Sequence, residues 1–142
     1  MLKFFRIWMA LIQILIGIQI FLAGYGALGT GDTAESFELH IMNGRLLGLL
    51  ALVAILFAAL SRAGGRLVGM AAGVFGLMVV QSLIAVISVG GTTAGQLIFG
   101  LHAINALFVM GLTEATGRSA KKILESRKES GAGAAPAAAT TA

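Results

Sequence analysis

Apolar residues fill this chain in four long runs, and charged residues fall almost entirely between them. Lys3 and Arg6 precede the first run, which continues from Ile7 to about Leu28 without a charge. Asp32, Glu35 and Glu38 then form an acidic group. The second run, from Leu39 to about Leu60, is broken only by Arg45 and is followed by Arg62 and Arg66. No charge occurs between Leu67 and Thr113. A membrane-crossing helix needs ~20 mostly apolar residues, so this last stretch is too long for one span and fits two. The Gly- and Thr-rich segment Val89–Gly95 divides it. The pattern predicts an all-α membrane protein with spans at about 7–28, 39–60, 67–88 and 97–113, joined by short loops as an up-down-up-down bundle over residues 1–117. Residues 118–142 are read as a basic stretch, a solvated and frayed extension of the fourth span, followed by an Ala/Gly/Thr-rich tail with too little to bury to fold.

Composition agrees with this reading. Hydrophobic residues make up 58% and charged residues 11% of the 142 positions, with a mean hydropathy of +0.95. A soluble domain carries ~25% charge. Cysteine is absent, which excludes disulfides, thiolate metal sites and a thiol nucleophile. The net charge of +4 is no nucleic-acid footprint once the charges are placed. Of ten basic residues, all but Arg45 lie at the N-terminus, in the middle loop or after the fourth span, which in a four-span chain is one side of the bilayer. The excess of Lys and Arg there predicts cytoplasmic termini, in a bacterial inner membrane, with the lipid bilayer as the first partner and no nucleic acid. Although Lys3 and Arg6 before an apolar run resemble a signal peptide, the run exceeds the 7–15 residues of such a core and is read as a mature helix.

The chain also repeats itself. At an offset of 62 residues, Gln19 aligns with Gln81, Phe37 with Phe99, His40 with His102 and Asn43 with Asn105, so that F-x-L-H-x-x-N-small occurs at Phe37–Gly44 and again at Phe99–Ala106. Chance pairing explains matched Leu or Ala, but poorly explains residue types as scarce here as His (two), Asn (two) and Gln (four). Each copy holds two spans, so the copies are parallel and related by an axis near the membrane normal. Glycines at four-residue spacing, Gly44 and Gly48 in span two and Gly65, Gly69 and Gly73 in span three, are expected to let helices approach closely.

The repeat places candidate chemistry. His40 and His102 lie toward the outer end of the even-numbered spans. If those spans are diagonal, two imidazoles face each other across the axis, an arrangement suited to a planar metal macrocycle held by two axial nitrogens. Gly44 and Ala106, one turn on, leave room for a flat ring, and Asn43 and Asn105 share the histidine face. Arg45, an unusual charge within a span, is a candidate partner for a propionate or for Glu38 or Glu35. Gln19 and Gln81 are expected to face inward and pair across helices or line a pocket. Zinc is less suited, because it normally takes more ligands than two histidines provide. The bland alternative is that all these polar groups join helices.

Glu38-Leu39-His40 with Gly44, Gln81 in span three, and Leu101-His102 with Ala106 resemble one four-helix half of the haem A synthase family, over about Leu11 to Leu112. They also resemble uncharacterised small four-helix bacterial membrane proteins with paired histidines. The resemblance implies a four-helix bundle with haem ligated by His40 and His102. It departs from the family where Phe37 occupies the place of an acidic residue and Ile41 that of a basic one, and one bundle stands where the synthase has two. Oxidation of a haem methyl group is therefore not part of the expectation. The expectation is a b-type haem protein of the membrane, serving electron transfer or haem handling as a subunit of a redox complex or as a homo-oligomer. No hydrolytic or group-transfer constellation accompanies it. A non-redox accessory subunit and half of a homodimeric transporter are the rivals.

Overall fold

A computed structural model describes residues 1–88 and 92–133. The chain forms α1 (Leu2–Ala27), the single-turn α2 (Thr33–Ser36), α3 (Glu38–Leu60), α4 (Gly65–Ile87) and α5 (Thr93–Gly133). The four long helices are each apolar and long enough to cross a membrane. They pack in the ring order α1, α3, α4, α5, and the diagonal pairs α1/α4 and α3/α5 make no close backbone approach. This is an up-down-up-down bundle, with the even-numbered spans α3 and α5 diagonal across its axis.

Its interior follows alternating steps of four and three residues. The buried positions are Phe5, Met9, Ile12 and Ile16 on α1; Leu47, Ala51, Ala54 and Ala58 on α3; Leu67, Ala71 and Val74 on α4. Along α5 steps of four, four, three and four bury Asn105, Val109, Thr113, Thr116 and Ala120. Such spacing keeps one narrow seam of each helix facing its neighbours. Large side chains come from α1 and small ones from α3, so knobs meet recesses. The outer surface carries large apolar side chains, among them Phe21, Leu49, Leu83, Val86 and Phe108, an inversion of a water-soluble surface that suits hydrocarbon.

Close approach rests on alanine more than on the glycine rows. Nothing lies within 4 Å of a Cβ built on Gly48, Gly65 or Gly69. Of the glycines in these rows, Gly73, 3.0 Å from Leu112 Cδ2, and Gly44, 3.1 Å from Gln19 Nε2, are the tightly opposed ones. Gly65 and Gly69 are exposed and Gly48 is half-buried beside an open groove, because a four-residue step drifts around a helix of 3.6 residues per turn.

Helix ends overrun the charge boundaries. α1 begins at Leu2, and Leu2 and Phe5 are buried although Lys3 and Arg6 stand among them. α5 starts at a cap in which Thr92 Oγ1 accepts from the Gly95 N–H at 3.0 Å. It runs 41 residues, ~60 Å at 1.5 Å per residue, twice the hydrocarbon thickness. The stretch expected to fray is therefore helical through Gly133. Ala120 is buried, Ile123 and Leu124 pack against the core, and the bundle extends beyond residue 117. The Gly/Thr divider at 89–91 and the tail at 134–142 lie outside the described residues.

That extension has a specific anchor. α3 ends at Leu60 with Ser61 as its cap, and Arg62 follows in the left-handed region (φ 49°). Gly64, at φ 98°, then supplies the freedom needed to start α4. The carbonyls exposed by this turn accept from Arg127: Nη2 to Arg62 O at 2.7 Å and Nη1 to Ser61 O at 3.5 Å. A guanidinium here meets both unpaired carbonyls and the negative end of the α3 dipole. Arg127→Ala is expected to lower stability by ~1 kcal/mol and to raise hydrogen exchange in residues 61–64 and 121–130, measured on the detergent-solubilised chain.

Candidate functional site

Two polar clusters related by the 62-residue offset lie inside one end of the bundle. In the first, α1 contributes Gln19 and α3 contributes His40 and Asn43. Asn43 Nδ2 donates to Gln19 Oε1 at 2.7 Å and to the Leu15 carbonyl at 3.1 Å. Gln19 Nε2 donates to the His40 carbonyl at 3.0 Å. In the second, α4 contributes Gln81 and α5 contributes His102 and Asn105. Asn105 Nδ2 donates to Gln81 Oε1 at 2.6 Å and to the Leu77 carbonyl at 2.9 Å. Gln81 Nε2 donates to the His102 carbonyl at 2.9 Å. Every one of these contacts has its counterpart at +62, so the repeat is a repeat of hydrogen bonds as well as of letters.

These clasps explain the local sequence. An amide facing lipid lacks partners, so Gln and Asn turn inward and bind across the seam to the neighbouring helix. Gly44 is small because Gln19 lies against it. Sequence reasoning had reserved that space for a flat ring, and the Gln19 amide occupies it here.

The two histidines meet across the axis with ring centroids 6.2 Å apart and planes at 44°. Their surroundings differ. His40 is held at both nitrogens: Gln19 Nε2 lies 3.0 Å from Nε2, and Nδ1 lies 3.1 Å from the Gln19 carbonyl oxygen. The carbonyl can only accept, so Nδ1 carries the proton and Nε2 presents its lone pair. His102 has no such clasp. Its Nδ1 is buried without a hydrogen-bond partner among the described residues, and its ring stacks on Phe99 at 5.0 Å and 13°. In the first copy the equivalent Phe37 meets His40 edge-on, at 5.9 Å and 90°. These phenylalanines were legible as part of the repeat, but their contact with the imidazoles was not, because side-chain angle is a tertiary matter.

Other candidates are placed elsewhere. Arg45 is exposed and forms no hydrogen bond or ion pair among the described residues. Five residues turn a helix ~140° beyond His40, so Arg45 faces away from the histidine pair, into a groove between α3 and α4. It is not a neighbour of the imidazoles, nor is it paired to Glu35 or Glu38. Glu38 is exposed and, with Glu35 and Tyr25, lines an open cleft under the α1–α2 connection. Ala106 is half-buried on the histidine face of α5. Gln13, on α1, leaves Oε1 buried and without a partner among the described residues.

The histidine pair passes a simple metric for axial ligation. An imidazole nitrogen lies ~2 Å from a metal it ligates, so two ligands on opposite sides of one ion have ring centroids ~6 Å apart. The observed 6.2 Å matches that spacing. The Nδ1–H of His40 directed at a backbone carbonyl is the support that a ligating histidine commonly has, although its Nε2 is engaged by the Gln19 amide in this structure. The His102 Nδ1, without a partner among the described residues, is available to an added group.

Residues 19–89, half of the chain, match a family described as a family of unknown function (DUF6220). The match spans Gln19, His40, Asn43 and Gln81 and ends before His102. No curated protein and no solved structure matches the chain.

The clasps are expected to stabilise unequally. An interhelical hydrogen bond in a membrane protein contributes about 0.6 kcal/mol on average and up to about 1.7. Gln19→Leu, which also frees the His40 ring, is expected to cost ~2 kcal/mol, and Gln81→Leu ~1 kcal/mol. Unfolding of both variants in mixed detergent micelles checks the order; equal losses would remove the special role of Gln19.

Proposed function

The chain belongs to the DUF6220 family of unknown function, so membership brings no activity with it, and we propose from its own residues that it is a small membrane haem protein. In this reading His40 and His102 would hold a b-type haem, in an electron-transfer or haem-handling subunit. The observation that carries the reading is the facing imidazole pair, matched by the repeat and spaced 6.2 Å across the bundle axis. A bound haem b supplies one-electron exchange at iron. The protein's part is to orient and enclose. Gln19 fixes the protonated nitrogen of His40 through its carbonyl, Asn43 and Asn105 lock the two glutamines, and Phe99 sets the plane of His102. Ligation through His40 Nε2 requires the Gln19 amide to release that nitrogen, while the carbonyl contact to Nδ1 persists.

The same contact favours a second reading. His40 already has both ring nitrogens satisfied, and the amide clasps close without an added group, as expected of an accessory subunit whose polar residues join helices. Difference spectra separate the two. Protein purified from haem-replete membranes is expected to show a reduced-minus-oxidised band. His40→Ala and His102→Ala are each expected to lower haem content at least ~10-fold. A haem-replete preparation with no band sinks the haem reading, and loss of stability alone in the histidine variants establishes the accessory one.

We place the basic end of the bundle in the cytoplasm, since Lys3, Arg6, Arg62, Arg66 and the Arg118–Lys128 group share that end in an up-down bundle. The histidine pair then lies toward the outer face of a bacterial inner membrane. The chain has no cysteine of its own, so single-cysteine labelling is direct. An impermeant maleimide added to intact cells is expected to label Thr30→Cys and to spare Ser119→Cys; the reverse pattern inverts the orientation.

A further inference from the structure

We infer that the groove between α3 and α4 is a binding site for one anionic phospholipid, with Arg45 on its phosphate. Gly44 and Gly48 floor the groove on α3, and Phe75, Met78, Leu83 and Val86 wall it on α4. Its volume is about 350 Å³. Nothing stands within 4 Å above Gly48, so the trough is open to the bundle's outside. Val86, at its end, lies in the last turn of α4, which closes at Ile87. The groove therefore runs from the middle of the helix pair to the level where lipid headgroups begin. It is apolar along its length, apart from Arg45 and Ser82, and the Ser82 hydroxyl is turned to its own helix at the Met78 carbonyl.

The charge identifies the occupant. A cation within a span, such as the Arg45 guanidinium, is costly unless paired. The six acidic residues of the chain all lie outside the apolar runs: Asp32, Glu35 and Glu38 at the histidine end, and Glu114, Glu125 and Glu129 at the other. No carboxylate stands on a span at the depth of Arg45, in this chain or in a second copy packed beside it. Glu38 shares the Arg45 face of α3 but lies two turns, ~10 Å, nearer the helix end, and the two form no ion pair. A phosphodiester at the interface supplies the missing anion. The guanidinium binds it in bidentate fashion, and one acyl chain lies along Gly44, Gly48 and Phe75. A net-negative lipid is favoured over a zwitterionic one because no second ammonium competes for the phosphate. The site is independent of the histidine pair, which lies on the other face of α3.

Native mass spectrometry of the full chain in a mild detergent tests this, with phosphatidylglycerol and phosphatidylcholine of matched chains present in equal amounts. The wild-type chain is expected to carry phosphatidylglycerol about fivefold more than phosphatidylcholine, the preference one cation confers on an anionic lipid. Arg45→Gln should abolish that preference at unchanged thermal stability. Arg45→Lys should keep part of it, and Arg62→Gln with Arg66→Gln should leave it intact. Glu38→Gln should preserve or strengthen it. Equal adducts on the wild type overturn the proposal. So does a preference that survives Arg45→Gln and falls with Arg62 and Arg66, or an Arg45→Gln effect that disappears in the Glu38→Gln background. A lipid-free dimer that Arg45→Gln dissociates assigns the groove to a second copy and overturns it equally.

Discussion

In hydrocarbon a polar group finds its partner inside the protein or goes without, and that requirement organises this bundle. Gln19 and Gln81 each sit where a side-chain amide has no water to turn to. Each reaches the backbone of the next helix and is in turn held by an asparagine that also binds the first helix's backbone. The result is two clasps, α1 to α3 and α4 to α5. They fix the register of each helix pair in a way that apolar packing alone does not, since one alanine or leucine seam slides readily past another. Register in turn decides where the imidazoles lie. The histidines are one turn from their asparagines, so locking the asparagine places the ring at the seam and, across the diagonal, opposite its counterpart.

The symmetry that the clasps impose is broken at the rings. Gln19 spends both amide hydrogens on His40, one on its carbonyl and one on its ring, whereas Gln81 reaches only the His102 carbonyl. Phe37 meets its histidine edge-on and Phe99 lies flat on its own. A duplicated unit therefore presents two unlike imidazoles, one latched through its ring nitrogens and one stacked on a phenylalanine. Inequivalent faces are useful to a site that accepts one group between them, because the two sides impose different demands on it. They are of no consequence to a pure joint, which is why the ring chemistry, rather than the clasps, separates the two functional readings.

At the opposite end the chain does not stop where its hydrocarbon layer would. Charges in the sequence mark where lipid contact ends, and a helix continues past that point if its inner face still has something to cover. Leu2 and Phe5 on α1, with Ala120, Ile123 and Leu124 on α5, carry the core on beyond the basic boundary. Arg127 completes the overrun by satisfying carbonyls that the left-handed turn at Arg62 leaves open. A basic residue that topology alone would assign to the membrane surface is thus a cap for a helix 65 residues earlier in the chain.

Much of this was legible in the order of residues. Four apolar runs, one of them interrupted by Arg45, read as four spans because hydrophobicity is a local property, summed over neighbours in sequence. The 62-residue repeat was legible because Gln, His and Asn are scarce here, and an up-down chain with short loops places alternate spans on the diagonal. Legible too was that these residues face inward, since lipid offers amides nothing. The tertiary structure decided what depends on angle and distance between helices: that Gln19 fills the space over Gly44, that the two rings differ, and that alanines rather than most of the glycines make the close contacts. It also turned Arg45 outward. Five residues carry a side chain ~140° around a helix, a rotation written in the sequence, but whether that direction meets a helix, the axis or lipid is set by which neighbours pack where.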